Sequence, residues 1–279
     1  LPQVELADMK QEIRAGNPGA ISAPLLDRLI QNVQDGKQSI LFLNRRGNSR
    51  CLVCVECGEA PGCPRCSVSL TYHSANNRLM CHYCGHSQAV PARCPSCGGA
   101  LKSVGFGTQK VEQELHELLP DVPVLRMDAD TVSASNDHEA ILSRFVREKI
   151  PILLGTQMVA KGLDFENVTL VGVLDADLSL YFGSFRAAET TFSLVTQVVG
   201  RAGRGTSAGT ALIQTMTPEH PVLRLAARQD YPEFFRQELR NRKLMSYPPY
   251  CAFLSAEVSA EAAAEARNAA YAFERLFGD

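Results

Sequence analysis

Eight of the ten cysteines fall into four Cys-x-x-Cys pairs: Cys54/Cys57, Cys63/Cys66, Cys81/Cys84 and Cys94/Cys97. A Cys-x-x-Cys turn presents two thiolates on one side, and two such turns complete the tetrahedral shell that zinc takes. Four turns therefore predict two zinc ions. Disulfides are the competing use, but nothing in the sequence points to secretion, and paired knuckles are a metal signature in cytosolic chains. Gly58, Gly85 and Gly98 follow the second cysteine of three pairs, where a tight turn favours a residue without Cβ.

The spacing also bears on which knuckles share an ion. Between Cys66 and Cys81, "SVSLTYHSANNRLM" alternates Val68, Leu70 and Tyr72 and carries Asn76-Asn77 as a turn. A hairpin there joins the second and third knuckles, so that Cys63, Cys66, Cys81 and Cys84 form one site. The first and fourth, Cys54, Cys57, Cys94 and Cys97, then close around it. Sequential pairing is cramped, because five residues separate the first two knuckles; a crossed arrangement stays open. Cys51 extends the first pair to Cys51-x2-Cys54-x2-Cys57, which resembles iron–sulfur ligation, but the five residues before Cys63-Pro64 depart from the ferredoxin run. Eight thiolates fill two sites, which leaves His73, His82 and His86 as bystanders and Cys51 and Cys251 as structural or spare cysteines.

The other chemistry-bearing stretch is "QVVGRAGRG", Gln197 to Gly205, in which Arg201 and Arg204 sit in a Gly-rich frame after an apolar helical run. Arginines so placed reach toward phosphate. Two further stretches, "ILFLNRRG" (Ile40 to Gly47) and "ILLGTQMVAKGLDF" (Ile152 to Phe165), begin on or beside expected strand ends, the places where open α/β sheets bind ligands. Taken singly each has a plain explanation: a solvated loop for Arg45-Arg46, and a tight helix end for Gly200 and Gly203.

The elements that must position these groups alternate. Ser22-Ala-Pro leads into a helix with Leu25, Leu26, Leu29, Ile30 and Val33 on one face and Gly36 as its stop. Strands are expected at Ser39–Asn44, Val122–Asp128, Ile150–Thr156, Val168–Asp177 and Thr210–Thr215. Helices are expected from Thr108, read as an N-cap, over "DHEAILSRFVREK", and over "AAETTFSLVTQVVG". Strands that are apolar throughout, separated by amphipathic helices, indicate a parallel sheet covered on both faces. The Cys-rich segment interrupts this order between a strand and its helix. Beyond residue 217, helices are expected at Glu219–Gln229 and Tyr231–Leu244. After the break at "YPPY" come one strand, from Cys251 to Ser259, and one more helix.

Bulk properties exclude little else. A net charge of −2 speaks neither for nor against nucleic acid, and the longest apolar runs fall far short of a membrane span. The chain starts at Leu1 rather than Met, so a fragment or processed product is expected.

Taken together and in this order, the motifs resemble the PriA family of replication-restart helicases, superfamily 2 DNA helicases, over essentially the whole chain as a C-terminal portion. The resemblance implies that residues 1–49 and 102–217 are a second RecA-like motor lobe, and that residues 50–101 are an inserted two-zinc module with nested pairing. Residues 218–279 would be linker helices and the start of an incomplete α+β C-terminal domain. "GTQMVAKGLDF" looks like helicase motif V, with Thr156 and Gln157 near the DNA backbone and Gly162 and Asp164 near the nucleotide. "QVVGRAGR" looks like motif VI, with Gln197 at a lobe interface and Arg201 and Arg204 facing the triphosphate. Arg45 and Arg46 of the motif IV-like stretch would lie near DNA. The family further implies ATP-driven 3′-to-5′ unwinding at stalled or repaired forks in the bacterial cytoplasm, associated with the nucleoid. Its partners would be branched and single-stranded DNA, single-stranded-DNA-binding protein and other primosome components, with no membrane.

One departure is large. There is no G-x-x-x-x-G-K-[ST] loop, since "GKQS" at Gly36 to Ser39 lacks the preceding glycine and strand, and no D-E-x-H motif. ATP and Mg2+ are therefore expected only with a first lobe that this chain lacks, and the isolated chain should neither hydrolyse ATP nor unwind DNA. A different class of function remains in view: a non-catalytic zinc platform that binds DNA and fork proteins.

Overall fold

The computed structural model describes the chain except at positions 1, 44–50, 67, 74–75, 83, 129–134, 157–158, 160–164, 182–183, 204–208, 253–255, 257, 259, 261 and 278–279. Its elements begin with β1 (Gln3–Asp8), α1 (Met9–Arg14), α2 (Ala23–Gln34) and β2 (Gln38–Leu43). Five short strands follow: β3 (Cys51–Cys54), β4 (Thr71–His73), β5 (Arg78–Met80), β6 (Ser87–Ala89) and β7 (Leu101–Val104). Then come α3 (Thr108–Leu118), β8 (Val124–Met127), α4 (Ser135–Arg147), β9 (Ile152–Gly155) and β10 (Val168–Leu174). A 3-10 turn (Ala176–Ser179), α5 (Ala187–Val199), β11 (Thr210–Thr215), α6 (Pro221–Arg228), α7 (Tyr231–Leu244) and α8 (Ala263–Phe277) complete the described elements.

The chain divides into two units, residues 1–236 and 237–279. The first is built on one six-stranded sheet in the order β1-β11-β10-β2-β9-β8, in which each neighbouring pair is parallel. Side chains of a strand alternate between faces, and here both faces are covered. Ile40, Phe42, Leu153, Val171 and Val173 pack with Phe145 of α4, Phe192, Val195 and Val198 of α5 and Leu223 of α6. Leu41, Leu43, Leu154, Leu170 and Leu174 pack on the other side with Leu25 and Leu29 of α2 and Val111 and Leu115 of α3. This is the doubly covered parallel sheet that the apolar strands imply. β1 had no counterpart in the sequence reading, because "QVELAD" is only half apolar, as suits an edge strand.

Two differences from expectation have clear physical reasons. The strand read as Val168–Asp177 stops at Leu174, because Asp175 takes a left-handed backbone (φ 50°) that no strand continues through. Thr108 does not cap α3. The cap position is Gly107, without a side-chain bond, and the Thr108 hydroxyl instead donates to the carboxylate of Asp128. The strand expected at Ser39–Asn44 is present as Gln38–Leu43, with position 44 outside the described residues. By contrast α2 starts as read, with the Leu25 N–H donating to Ser22 Oγ at 3.4 Å.

In the second unit α8 exposes Tyr271 and Leu276. The strand expected at Cys251–Ser259 falls in part on positions 253–255, 257 and 259, outside the described residues; those of the segment that are described form no strand.

Gly155, the last residue of β9, shows how tightly the sheet's carboxyl rim is packed. A Cβ there would lie 2.0 Å from Val159 Cγ2 and 2.8 Å from the Met127 carbonyl oxygen. Backbone cannot move aside as a side chain can, so Gly155→Ala should destabilise the chain by about 1–3 kcal/mol. A lower urea midpoint with an unchanged slope would show this; an unchanged midpoint would mean that the rim is looser than these distances imply.

Candidate metal centres and nucleotide-cleft residues

The Cys-rich segment leaves the sheet after β2 and returns to it at α3. Its ends are clamped as an antiparallel pair, β3 with β7, in the register Cys51↔Val104 to Cys54↔Leu101. That pairing brings the first knuckle beside the fourth. Between them β4, β5 and β6 form a three-stranded antiparallel sheet, with Thr71↔Met80 and Arg78↔Ala89 among its pairs, and this brings the second knuckle beside the third. Asn77, with φ 50°, lies in the β4–β5 connection that the sequence marks as a turn.

The knuckles share one backbone design. The amide of Gly58 donates to the Cys54 carbonyl, that of Gly85 to Cys81 and that of Gly98 to Cys94, at 2.9, 3.0 and 2.9 Å. All three glycines have positive φ, between 67° and 80°. The first cysteine of each knuckle also donates its N–H five residues on, Cys54 to Glu59, Cys63 to Val68, Cys81 to His86 and Cys94 to Gly99. Each loop is thereby closed with its two thiols on one side.

Two groups of four result: Cys54, Cys57, Cys94 and Cys97, and Cys63, Cys66, Cys81 and Cys84, each with its sulfurs within 4.8 Å of one another. This is the nested arrangement. Cys54 and Cys97 sulfurs are 3.4 Å apart, Cys57 and Cys94 3.7 Å, and Cys63 and Cys84 3.6 Å. A tetrahedral zinc with four sulfurs at about 2.3 Å requires sulfur–sulfur edges of about 3.8 Å, so the donor sets fit the ion. Neither group includes His73, His82 or His86.

The thiols pull one another apart in acidity. At Cys84 the His86 amide leads in bringing the thiol down to about 7. At Cys66 the hydrogen bond with Cys84, then burial, pushes the thiol up to about 12. The first group has the same asymmetry. Burial opposes ionisation of Cys94, but the amides of Cys97 and Ser96 and the neighbouring thiols outweigh it and set about 7, whereas burial first of all drives Cys57 up to about 12. A divalent cation relieves this competition by accepting all four as thiolates.

Cys51 is no ligand. It is 1% exposed, burial pushes its thiol up to about 11, and its Sγ points at the Tyr181 carbonyl, 3.7 Å away.

The motor-like residues are distributed over two opposite rims of the sheet. Thr156 directly follows the carboxyl end of β9, half-buried, with its amide toward the Met127 carbonyl. The chain is back at the amino end of β10 by Phe165, whose carbonyl accepts from the Val168 amide. Gln197 is exposed in the last turn of α5; Arg201 follows, half-buried, and the Gly203 amide donates to the Val168 carbonyl at 3.0 Å. The arginine stretch is therefore pinned to the amino rim. Arg45, Arg46, Gln157, Gly162, Asp164 and Arg204 lie outside the described residues.

Sequence reasoning passed over two acidic residues just beyond β10. Asp175 Oδ2 accepts from the Phe106 amide at 3.0 Å and so fastens the end of the Cys-rich segment to the central strand. Asp177, 4% exposed, accepts from Thr215 Oγ1 and from the Met216 amide, both at 2.6 Å, and from Thr217 Oγ1. "DAD" at the carboxyl end of a buried parallel strand was the available signal.

Comparison with known proteins agrees with this geometry. Residues 63–88 match the PriA DNA helicase Cys-rich region, and residues 104–206 match the helicase conserved C-terminal domain. The fold and the two cysteine sites thus define a helicase C-terminal lobe, of RecA-like architecture, that carries a Cys-rich metal-binding module. The replication restart protein PriA of Bacillus subtilis is 49% identical over 95% of this chain and 33% of that protein. The PriA proteins of Synechocystis and Treponema pallidum are 44% and 37% identical over 90% and 99% of this chain, and 31% and 41% of theirs. The chain belongs to the PriA family of replication restart proteins, and spans about a third of the length of the relatives it matches. Among solved structures, the E. coli DEAD-box protein SrmB is similar at 14% identity and TM-score 0.39, covering 82% of this chain and 84% of that one, too loosely to carry an argument.

Elemental analysis should find about two zinc per chain. Cys54→Ser and Cys63→Ser should each remove one of the two; iron with visible absorbance would contradict the assignment. Asp175 gives a pH prediction. Burial raises its carboxyl from 3.8 to about 6, so its charge opposes folding fully above about 6 and not at all below about 3.8. The folded form holds the extra proton between those values, and stability from this group rises as pH falls through them. Asp175→Asn keeps an acceptor for Phe106 and should stabilise the chain at pH 7 on the order of 1–2 kcal/mol, with the gain gone below about pH 4. Urea midpoints across that range test it.

Proposed function

We propose that the chain is the second motor lobe, with its zinc module, of an ATP-dependent 3′-to-5′ DNA helicase that recognises stalled or repaired forks and starts primosome assembly. The motor lobe comprises residues 1–49 and 102–217, the zinc module residues 50–101, and residues 218–279 lead into a further domain. The observation that carries this reading is the placement of the arginine stretch. Open α/β sheets bind their own ligands beyond the carboxyl ends of the strands, yet Gly203 is tied to Val168 at the amino end. An arginine there does not face this lobe's own crevice, and suits a cleft closed by another lobe.

In that cleft Arg201 and Arg204 stabilise charge developing on the γ-phosphoryl group, as arginine fingers do. Gln197 stands at the lobe interface, and Gly162 and Asp164 lie by the nucleotide. Thr156, Gln157, Arg45 and Arg46 follow carboxyl strand ends and meet the DNA backbone at the opposite rim. ATP and Mg2+ bind with the first lobe, and the two zinc ions belong to the module. The partners are branched and single-stranded DNA, single-stranded-DNA-binding protein and other primosome components, in the bacterial cytoplasm.

The isolated chain should show no ATP turnover above background. In a protein with both lobes, Arg201→Ala should lower DNA-stimulated turnover on the order of 10³-fold. Unchanged turnover would remove Arg201 from catalysis. A two-lobed protein that never turns over ATP but still binds forks would favour the zinc platform without a motor.

A further inference from the structure

The two cysteine sites are mounted differently. The second belongs to a small cluster within the module, where Cys63 and Cys81 pack with Leu52, Val68, Leu70 and Leu79. The first lies against the motor lobe. Cys51 and Val53 of β3 share a buried cluster with Met9, Leu178, Tyr181 and Met216. The Gly58 carbonyl, in the turn that closes the first knuckle, accepts from the Tyr181 hydroxyl at 2.7 Å. A Cβ on Gly58 would lie 2.5 Å from Thr217 Cγ2 and 2.7 Å from the Met216 carbonyl oxygen, so the knuckle is pressed directly on the end of β11.

Asp177 holds the surface that receives it, through Thr215, Met216 and Thr217. Asp177 lies in the short turn Ala176–Ser179, and Tyr181 just beyond it. Its Ser179 hydroxyl lies 2.6 Å from that of Thr191 in α5, and both residues are buried. From Thr191, α5 runs about 12 Å further to the amino rim, by the helical rise of 1.5 Å per residue, where it presents Gln197 and leads into Arg201. One turn therefore fastens the first metal knuckle on one side and the arginine helix on the other.

We propose that Tyr181 and Asp177 are positioning residues that make the Cys54/Cys57/Cys94/Cys97 site, and not the other, part of the motor lobe: metal there holds the Ala176–Tyr181 turn and, through it, the helix that carries Gln197 and Arg201. The proposal rests on the reading that both sites hold zinc. The Tyr181 phenol is pushed far above its ordinary range, chiefly by burial, so it stays a donor at any physiological pH. The Gly58 contact is then independent of pH and answers to occupancy and packing.

Zinc content of the full 279-residue chain is measured first; fewer than two zinc per chain would sink the metal reading on which the proposal stands. Release to a chromophoric chelator is then followed, with Cys63→Ser/Cys66→Ser identifying the phase that belongs to the second site. Tyr181→Phe, which deletes one hydroxyl, should speed release from the first site roughly three- to tenfold, the loss of one hydrogen bond, and leave the second unchanged. Hydrogen exchange supplies the readout that simple local loosening would not move. Amides of residues 187–199 should lose protection in Cys54→Ser/Cys57→Ser and keep it in Cys63→Ser/Cys66→Ser. Equal acceleration of both phases by Tyr181→Phe, no acceleration of either, or equal exchange in the two double variants would overturn the proposal.

Discussion

The central pair of parallel strands, β2 and β10, is buried on both faces, and the rest of the architecture follows from that constraint. Residue by residue Ile40, Leu41, Phe42 and Leu43 send their side chains into opposite cores, so neither face has room for a polar group that reacts. Backbone amides and carbonyls in such strands are spent on the ladder. Chemistry can then sit only where strands end. The sheet has two rims, and the chain uses both: the carboxyl rim takes Thr156, Asp175, Asp177 and the root of the Cys-rich module, and the amino rim takes the arginine stretch. The long return between β9 and β10 joins the two, leaving at Gly155 and arriving at Phe165.

Much of this was legible in the sequence because the signals were of the kind that spacing alone carries. Continuous apolar runs of four to seven residues between amphipathic helices suit doubly buried strands, and four Cys-x-x-Cys turns suit two four-thiolate sites. The nested pairing could be anticipated because an intervening hairpin is visible in "SVSLTYHSANNRLM". What the pattern could not give was anything decided by long-range contact. Whether Thr108 caps its helix depends on Asp128, twenty residues away, which takes the hydroxyl instead. The β3–β7 clamp joins residues about fifty apart, and β1 finds its partner at the far end of the lobe, in β11. Short edge strands have little periodicity of their own; their partners decide them.

The two four-cysteine sites suit a module in which hydrophobic burial is slight. Its own cluster contains six buried residues, two of them cysteines, whereas the lobe's two face clusters are large. A segment of about fifty residues with so little to bury is below the size at which a core stabilises itself, and a metal or disulfide commonly substitutes. The repeated amide-to-carbonyl closures preorganise each loop, yet they leave thiols whose acidities are driven to about 7 and about 12 within one cluster. Such a set of donors is poorly satisfied by protons alone.

The same scarcity explains why the module must lean on its host. Its first knuckle meets the lobe largely through backbone: the Gly58 carbonyl accepts from Tyr181, and the Gly58 Cα sits where no Cβ fits against Met216 and Thr217, with one exposed ion pair, Glu56 to Arg14, beside them. A backbone contact of that closeness demands that both surfaces be fixed beforehand. On one side the four-cysteine turn supplies the rigidity; on the other a buried carboxylate, Asp177, does so by tying down three consecutive residues. The two tethers differ in kind: a set of four thiols in one case and a satisfied buried acid in the other. The join between module and lobe thus adds polar chemistry at the rim to the small buried cluster of Cys51 and Val53 with Met9, Leu178 and Met216.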